Sequence, residues 1–227
     1  MCGRMAITLT HDAMAHLFDA APVGDLPDLP DYNVCPTRPI AVVLSQGGRR
    51  FLQAMRWGFL PAWYRSPTDG PLLINARAES IADRPAFREA ARHRRCLVPA
   101  TGFYEWQRLE SGRSQPWFVT RADGAPMVFA AVWQNWGEAE AQQGTVAIVT
   151  CPANAQMARI HPRLPVILEP GDWPLWLGEA GHGAARLMRA PPEGALRMVP
   201  VGPAINSARS RGADLIRPLD QDPISPA

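Results

Sequence analysis

The stretch from Met127 to Trp136 reads MVFAAVWQNW, a run of apolar, β-branched and aromatic residues. Such a run is typical of a buried β-strand. The segments from Pro116 to Thr120 and from Thr145 to Thr150, on either side of it, have the same character. Together they predict three successive strands, and these strands decide the fold class.

Shorter elements surround this group. A strand from Ile40 to Leu44 and a partner from Arg50 to Met55 are joined by Gln46-Gly47-Gly48, which predicts a hairpin. Further strands are predicted over Cys96 to Pro99, Gly102 to Gln107 and Leu196 to Val201, and helices over His11 to Ala20 (capped by Thr10), Ser80 to Arg92, Ala153 to Ile160, Asp172 to Leu177 and Ala184 to Met188. Many strands with a few peripheral helices indicate an α+β protein, with mainly antiparallel twisted sheets that curl into a barrel-like core.

Composition is ordinary for a globular protein. The 227 residues are 47% hydrophobic and 19% charged, with a formal net charge of +2. That length suits a single domain, which we place at residues 1–218, followed by a tail at 219–227. The positive charge is carried by arginine, in runs such as Arg92–Arg95. Arginine binds phosphate well, so a local nucleic-acid groove and ordinary solvated surface charge both remain open.

The four cysteines are Cys2, Cys35, Cys96 and Cys151. Their wide spacing predicts neither a disulfide framework nor a metal site, and we expect no cofactor. The sequence has no secretory pattern and no apolar run of membrane-spanning length. We therefore expect a cytoplasmic monomer without membrane contact.

Cys2 follows the initiator Met1 directly. If Met1 is removed, an α-amine and a thiol stand two carbons apart, with ordinary pKa values of about 8 and about 8.5. An amine condenses with an aldehyde to give an imine, and a neighbouring thiol can then close a five-membered thiazolidine ring. Taken alone, Cys2 could equally be a chance residue.

Glu105 lies between Tyr104 and Trp106 in a predicted strand. Alternation places Phe103 and Glu105 on one face and the two aromatic neighbours on the other. Because desolvation raises the pKa of a carboxyl group, Glu105 is a candidate proton donor near neutral pH. A carboxylate facing solvent at a strand edge is the alternative.

His161 and Asn75 are two further polar candidates. His161 follows a short predicted helix and could transfer protons at physiological pH, although a lone histidine is commonly structural. Asn75 ends an apolar segment and could either hold a turn or orient an amine.

Arginine and aromatic residues lie close to these candidates in the chain. Arg77 follows Asn75, and Arg163 follows His161, so either could contact phosphate. Trp57, Phe59 and Trp63 could stack on bases or pack in the core.

Seven segments of this chain resemble the SOS response-associated peptidase family, and they occur in the family's order over most of the chain. They are Met1–Arg4, Tyr32–Pro36, Arg56–Pro61, Ile74–Glu79, Arg95–Pro99, Gly102–Trp106 and His161–Leu168. The combination of the Cys2 start, the aromatic-flanked Glu105 and the His161 segment is highly specific.

The resemblance implies a protein that senses abasic sites in single-stranded DNA and cross-links to them covalently during the DNA damage response. Cys2 would be the cross-linking residue, Asn75 would orient it, Glu105 would be the acid and His161 would assist proton transfer. The implied DNA-contact residues are Arg4, Asn33, Pro36, Trp57, Phe59, Trp63, Arg77 and Arg163. The same site is implied to act as a thiol autopeptidase that removes Met1, with possible lyase character, and the protein would be nucleoid-associated when bound to damaged DNA.

Three positions depart from the family pattern. Pro162 stands where the family usually has Asp, Leu164 where it usually has Met, and Cys35 where it usually has Ala. Pro162 removes a backbone donor and a carboxylate beside His161. Two rival functions remain, which are a cysteine peptidase acting on other proteins and a non-catalytic nucleic-acid binder.

Overall fold

The computed structural model describes residues 2–138 and 142–219, and within them thirteen strands and four short α-helices. The strands are β1 Met5–Ile7, β2 Ala20–Val23, β3 Asp31–Val34, β4 Pro39–Gln46, β5 Arg49–Trp57, β6 Asn75–Arg77, β7 Arg95–Ala100, β8 Gly102–Arg108, β9 Ser114–Arg121, β10 Met127–Trp136, β11 Gln143–Pro152, β12 Arg163–Pro165 and β13 Leu196–Pro200. The helices are α1 His11–Phe18, α2 Arg88–His93, α3 Ala155–Ala158 and α4 Trp173–Leu177, and short 3₁₀ turns cover Pro170–Asp172, Ala184–Leu187, Pro203–Asn206 and Ala213–Ile216.

The larger sheet has eight strands in the order β12-β11-β10-β7-β4-β5-β2, with β6 paired to β11. The predicted strands at Met127 to Trp136 and Thr145 to Thr150 are its antiparallel centre, β10 and β11. β11 also pairs in parallel with β5, through Thr145 opposite Arg56 and Val146 opposite Trp57. The sheet therefore curls back on itself without forming a closed barrel, and the α+β prediction is confirmed.

The smaller sheet has five strands in the order β13-β9-β8-β1-β3. Its central strand β8 has two faces, as the alternation predicts. Phe103 joins the main core between the sheets, whereas Tyr104 packs in a second cluster with Phe118 and Ile205, against which Trp106 also lies. Glu105 therefore faces the interior that also holds Cys2, rather than solvent.

Two local predictions are confirmed by backbone geometry. Gly47 and Gly48 have φ values of 59° and 75°, which suits the two-residue turn between β4 and β5. Thr10 caps α1 by accepting a hydrogen bond from Ala13 N, and α1 ends at Asp19 in the left-handed conformation.

The helix predicted over Ser80 to Arg92 is wrong in its first half. The α-helix begins only at Arg88, and residues 80–87 form a series of turns. Pro85 explains the difference, because it lacks an N–H and disfavours helical geometry at the residue before it. This turn segment matters below, since it lines two clefts.

The ends of the chain are only partly described. Leu219 is the one residue of the predicted tail within the described range, and its N–H donates to Pro200 O at 2.9 Å. Met1 and residues 220–227 lie outside the described residues. Within the part that is described, no helix has both the length and the apolar character needed to span a membrane.

Candidate functional site

The two sheets bring the candidate residues together from distant parts of the chain. β1, which follows Cys2, pairs with β8, which carries Glu105. β6 lies beside β11 with Asn75 opposite Ile148, and β12 begins just after His161 and pairs with β11 as well. Asn75 and the segment that follows His161 therefore both lie beside the second half of β11.

Cys2 is held by backbone and side-chain hydrogen bonds around it. Asn75 Nδ2 donates to Cys2 O at 2.9 Å, across 73 positions of sequence. Two residues further on, Arg4 O accepts from Tyr104 N at 2.9 Å. The cysteine itself has no exposed surface. These contacts fix the start of the chain against β8 and β6.

The surroundings of Cys2 raise the pKa of its thiol. Burial, followed by the negative charge of Glu105, raises its pKa well above the ordinary range, and a hydrogen bond from the Arg4 backbone opposes this only in part. The pairing of β1 with β8, continued by the hydrogen bond from Tyr104 N to Arg4 O, places the buried Glu105 on the strand next to the segment that begins with Cys2. A resting thiolate, which a cysteine peptidase requires, is therefore disfavoured here.

Asn75 keeps one unused hydrogen-bond acceptor. Its Oδ1 is buried and has no hydrogen-bond partner among the described residues, while Nδ2 is committed to Cys2 O. A buried amide oxygen without a partner is costly, so a donor arriving close to Cys2 would be bound favourably.

His161 follows α3, and its ring is held by the backbone of Arg163. Its backbone N–H donates to Met157 O at 3.0 Å, and its Nδ1 lies 3.1 Å from Arg163 N and 3.2 Å from Arg163 O. Nδ1 can accept from the Arg163 N–H in one tautomer and donate to the Arg163 carbonyl in the other, so both tautomers keep the ring in this place. The ring is thus oriented by Arg163, and Pro162 leaves that contact intact.

A cleft of about 350 Å³ opens beside Asn75, and we call it the Trp63 cleft. Trp63 is 58% exposed on its wall. Arg77 and Arg84 are exposed there as well, and Tyr64 is half-buried. The lining is completed by Pro61, Pro71, Leu73, Asn75, Ser80, Pro85, Ala86 and Phe87. Sequence reasoning did not single out Tyr64 or Arg84, and their only signal was nearness to Trp63 and Arg77 in the chain.

Trp57 and Phe59 correct the expectation that they contact DNA, because both are fully buried. Trp57 Nε1 donates to Ile74 O at 3.1 Å, and the Phe59 ring packs on Phe87 at 5.1 Å between centroids. Neither ring has a face available for stacking. Of the three aromatic candidates, Trp63 alone is exposed.

Arg163 is committed to an ion pair. Its guanidinium forms a bidentate contact with Glu79, and Nη2 also donates to Thr150 O at 2.8 Å. This contact is the main cause that lowers the pKa of Glu79. Arg163 is 17% exposed, so as placed it braces β11 and the segment after β6, whereas Arg77 presents its side chain to solvent.

Arg4 and Asn33 belong to an internal network. Arg4 Nη1 donates to Asn33 Oδ1 at 2.6 Å and to Ile205 O at 2.8 Å, and its guanidinium lies 5.8 Å from the Trp106 ring. Asn33, only 2% exposed, donates in turn to the backbone oxygens of residues 207 and 210. As placed, these two side chains anchor the start of the chain, and Pro36 is half-buried after β3.

Among the described residues, no group of three His, Cys, Asp or Glu side chains is arranged to hold a metal ion. The described contacts join Cys2 to Asn75 at the edge of an aromatic and basic cleft, with Glu105 on the neighbouring strand β8 and the His161 segment beside β11.

Comparison with known proteins relates this arrangement to a family. The sequence profile described as SOS response associated peptidase (SRAP) matches residues 1–208. The chain is 36% identical over 184 residues to abasic site processing protein YoaM of Bacillus subtilis (strain 168), which covers 78% of this chain and 79% of that protein. It is 30% identical over 227 residues to abasic site processing protein YedK of Escherichia coli (strain K12), covering 96% and 100%.

Solved structures agree on the fold. A protein from Bacteroides thetaiotaomicron superimposes with a TM-score of 0.83 at 22% identity, over 96% of this chain and 100% of that one. A phage-related protein from Bordetella bronchiseptica gives 0.70 at 28% identity, over 88% and 94%. The profile match and these relatives show that the chain belongs to the SOS response associated peptidase family.

Proposed function

We propose that this protein processes abasic sites in single-stranded DNA by capturing them covalently through Cys2 once Met1 has been removed. The observation that carries the proposal is the setting of Cys2, whose carbonyl is held by Asn75 and whose buried thiol lies near the Glu105 carboxyl group. Removal of Met1 would turn the amide nitrogen of Cys2 into a primary α-amine at that point.

The first step would be formation of an imine. An abasic deoxyribose opens to an aldehyde at C1′, and Glu105, when protonated, would assist opening by donating to the ring oxygen. The α-amine nitrogen then forms a bond to C1′, and loss of water gives the imine. Asn75 Oδ1 supports this step, since it is a buried acceptor without a partner next to Cys2 and would orient the amine through an N–H bond.

The second step would be ring closure. The Cys2 sulfur adds to the imine carbon, the thiol proton ends on the imine nitrogen, and a neutral thiazolidine results. The raised pKa of the thiol fits this step, because the sulfur arrives protonated and needs a proton carrier. Glu105 and His161 are the candidate carriers. The closed ring has no imine left to promote strand elimination, so the lesion would be shielded.

The DNA strand would lie in the Trp63 cleft. An exposed indole offers a face for base stacking, and Arg77 and Arg84 offer guanidinium groups for the neighbouring phosphates. Arg163 forms an ion pair with Glu79 and would contribute by stabilising the segment after β6, which lines the cleft. Few amide side chains face the cleft, so we expect binding to follow the backbone rather than the base sequence.

The same site would also act on its own Met1. The Cys2 thiol, with Glu105 as proton acceptor, would serve as the nucleophile of this self-processing step. Action as a peptidase on other proteins is less well supported, because Cys2 has no exposed surface for a separate peptide chain to reach, whereas the Met1–Cys2 bond adjoins the thiol within the chain.

The test uses the composition of the chain. All 23 basic side chains are arginine, so the α-amine is the only primary amine in these 227 residues. We expect the intact mass of the purified protein to lack Met1, and an abasic oligonucleotide to yield a heat-stable adduct of one protein and one DNA. With Cys2→Ala, borohydride should trap an imine but no heat-stable adduct should form without it. Cys35→Ala, at the half-buried cysteine after β3, is the matched control and should react normally.

Two results would contradict the proposal. One is a heat-stable adduct formed by protein that still carries Met1. The other is borohydride trapping that maps to a peptide other than the N-terminal one, since this chain offers no lysine amine to account for it.

A further inference from the structure

A second cleft, of about 470 Å³, lies between α2 and the loop before the 3₁₀ turn at Ala184–Leu187. We call it the Trp176 cleft. Its volume falls in the range of about 300–1,000 Å³ that is common for ligand pockets. It shares no lining residue with the Trp63 cleft, although residues of the 80–87 segment line both.

The rim of the Trp176 cleft is basic. Arg88, Arg92 and His93 contribute from α2, Arg95 from β7 and His182 from the opposite loop. None of the described residues that line it is an Asp or a Glu. The side chains of Arg88, Arg92 and His93 are 51%, 62% and 66% exposed. The rim is therefore available to a ligand that brings carboxylates.

The carboxylate beside this rim does not neutralise it. Glu89, on α2, lies 3.8 Å from Arg88, 3.6 Å from Arg92 and 4.0 Å from His93, and it is itself 54% exposed. Exposed ion pairs at such distances contribute little to stability, and they are readily exchanged for better ones. Arginine donors on the rim can thus turn to an incoming carboxylate.

The floor of the cleft is apolar and rigid. Ile81 and Trp176 are each 2% exposed, and Ala184 and Met188 lie beside them. Trp176 Nε1 donates to Cys96 O at 3.0 Å, and Arg95 is tied to Trp176 O and to the carbonyls of Ala91 and Arg92. An aliphatic side chain could therefore bind in a preformed apolar pocket, with little loss of conformational entropy in the protein.

We propose that the Trp176 cleft docks a partner protein through an acidic peptide segment that also carries an aliphatic side chain. Charge complementarity supports acidic residues on the rim, and the apolar floor supports the aliphatic anchor. Nucleic acid fits less well, because a base-stacking platform is typically an exposed Trp, Tyr or Phe ring, and Trp176, the one such residue among the described lining residues, is buried.

The probe is a fluorescein-labelled peptide of sequence Asp-Asp-Asp-Leu-Leu, titrated with the full-length protein and followed by fluorescence anisotropy. We expect saturable binding that weakens by about tenfold or more when the aspartates become asparagines or the leucines become serines. Arg92→Glu should weaken it similarly, and Ala185→Trp, at an exposed lining position, should block it without disturbing the core.

Arg113→Glu is the matched control, because it makes the same change of charge at an exposed turn between β8 and β9. It should leave peptide affinity within about twofold. Circular dichroism and thermal unfolding would establish that each variant is folded.

Two results would overturn the proposal. The first is peptide affinity unchanged by both Arg92→Glu and Ala185→Trp, which would place the peptide elsewhere. The second is displacement of the peptide by undamaged single-stranded DNA together with loss of DNA affinity in Arg92→Glu, which would make the cleft part of the DNA path. Neither result depends on whether Cys2 forms an adduct.

Discussion

The Trp63 cleft and the Trp176 cleft are lined by residues of the same turn segment, 80–87, and both present arginine to solvent. They differ in what lies beneath the arginines. In the Trp63 cleft an exposed indole stands next to Asn75 and hence to Cys2, whereas in the Trp176 cleft the indole is buried under small apolar side chains. Positive charge alone therefore does not identify a ligand; the accessible ring face and the neighbouring chemistry do.

A buried cysteine lies next to each cleft, and this sharpens the contrast. Cys2 O is held by Asn75, and Cys96 O is held by Trp176. Burial raises the pKa of both thiols, but only at Cys2 does a carboxylate, Glu105, contribute as well. Burial alone makes a thiol inert, so reactivity requires the carboxyl group and the amine that Cys2 would gain.

Among variants that should affect the Cys2 site and leave the Trp176 cleft unchanged, we expect the largest effect, on the rate of adduct formation, from Glu105→Gln. This change keeps the proposed nucleophiles and removes the proton donor, so adduct formation should slow by about 10²–10⁴-fold. A time course on denaturing gels with an abasic oligonucleotide measures it. Affinity for undamaged single-stranded DNA and for the acidic peptide should be unchanged, and Glu110→Gln, on the exposed turn after β8, should react at the normal rate. A normal rate in Glu105→Gln would remove Glu105 from the chemistry.

Trp63→Ala comes next. Loss of a stacking platform costs about 1–3 kcal/mol per base, so affinity for single-stranded DNA should fall by roughly 5- to 150-fold. Anisotropy with labelled DNA measures the loss, and the acidic peptide serves as the internal control because its cleft is intact. An equal loss of affinity for the DNA and for the peptide would show that the two clefts are coupled, and it would contradict their treatment as separate binding sites.

The thiols of Cys2 and Cys96 should lower stability at high pH, as should the third buried thiol, Cys151, whose pKa burial raises to about 11. Each has a raised pKa in the folded state, so above pH 9.0, the ordinary value for these groups, the unfolded chain loses protons that the folded chain keeps. The free energy of unfolding should then fall with rising pH by at most about 1.4 kcal/mol per pH unit for each thiol, and it should be unaffected by them below that point. Urea unfolding at pH 8 and pH 10 measures this. Cys96→Ala should reduce the difference between the two pH values, and a difference that stays the same would contradict the assignment.

The smallest effect is expected from Arg77→Ala. Removing one phosphate contact should reduce the dependence of log affinity on log salt by about one unit, with equal effect on all DNA sequences. Arg163→Ala provides the contrast, since Arg163 braces Glu79 and Thr150. It should lower the free energy of unfolding by about 1–3 kcal/mol and change the salt dependence less. The reverse pattern would mean that Arg163 leaves Glu79 to bind DNA.

Much of this protein follows from local sequence. The strand from Met127 to Trp136, the Gly47-Gly48 hairpin and the Thr10 cap depend on periodicity and turn chemistry, which neighbouring residues determine. Alternation alone placed Glu105 on the same face of β8 as Phe103, whereas the packing of the two sheets decided that this face is interior. The aminothiol that Cys2 would offer is likewise a property of its position in the chain. Apolar periodicity is not sufficient by itself, however. It predicted a helix from Ser80 onward, but Pro85 prevents a helix there and α2 begins only at Arg88.

Only the tertiary structure decided which side chains are accessible and which are committed. Trp57, Phe59 and Trp63 are aromatic residues of one short segment, and the sequence does not distinguish them. Trp57 and Phe59 are buried and Trp63 is exposed, because β5 leads into the core and the chain reaches the surface only after Pro61. Asn75 reaches Cys2, and Arg163 reaches Glu79, only because β6 and β12 are both paired with β11. The first contact joins residues that are 73 positions apart in the sequence, and the second joins residues that are 84 positions apart. Local propensity carries no information about such pairs, since they form only when the packing of both sheets brings the strands together.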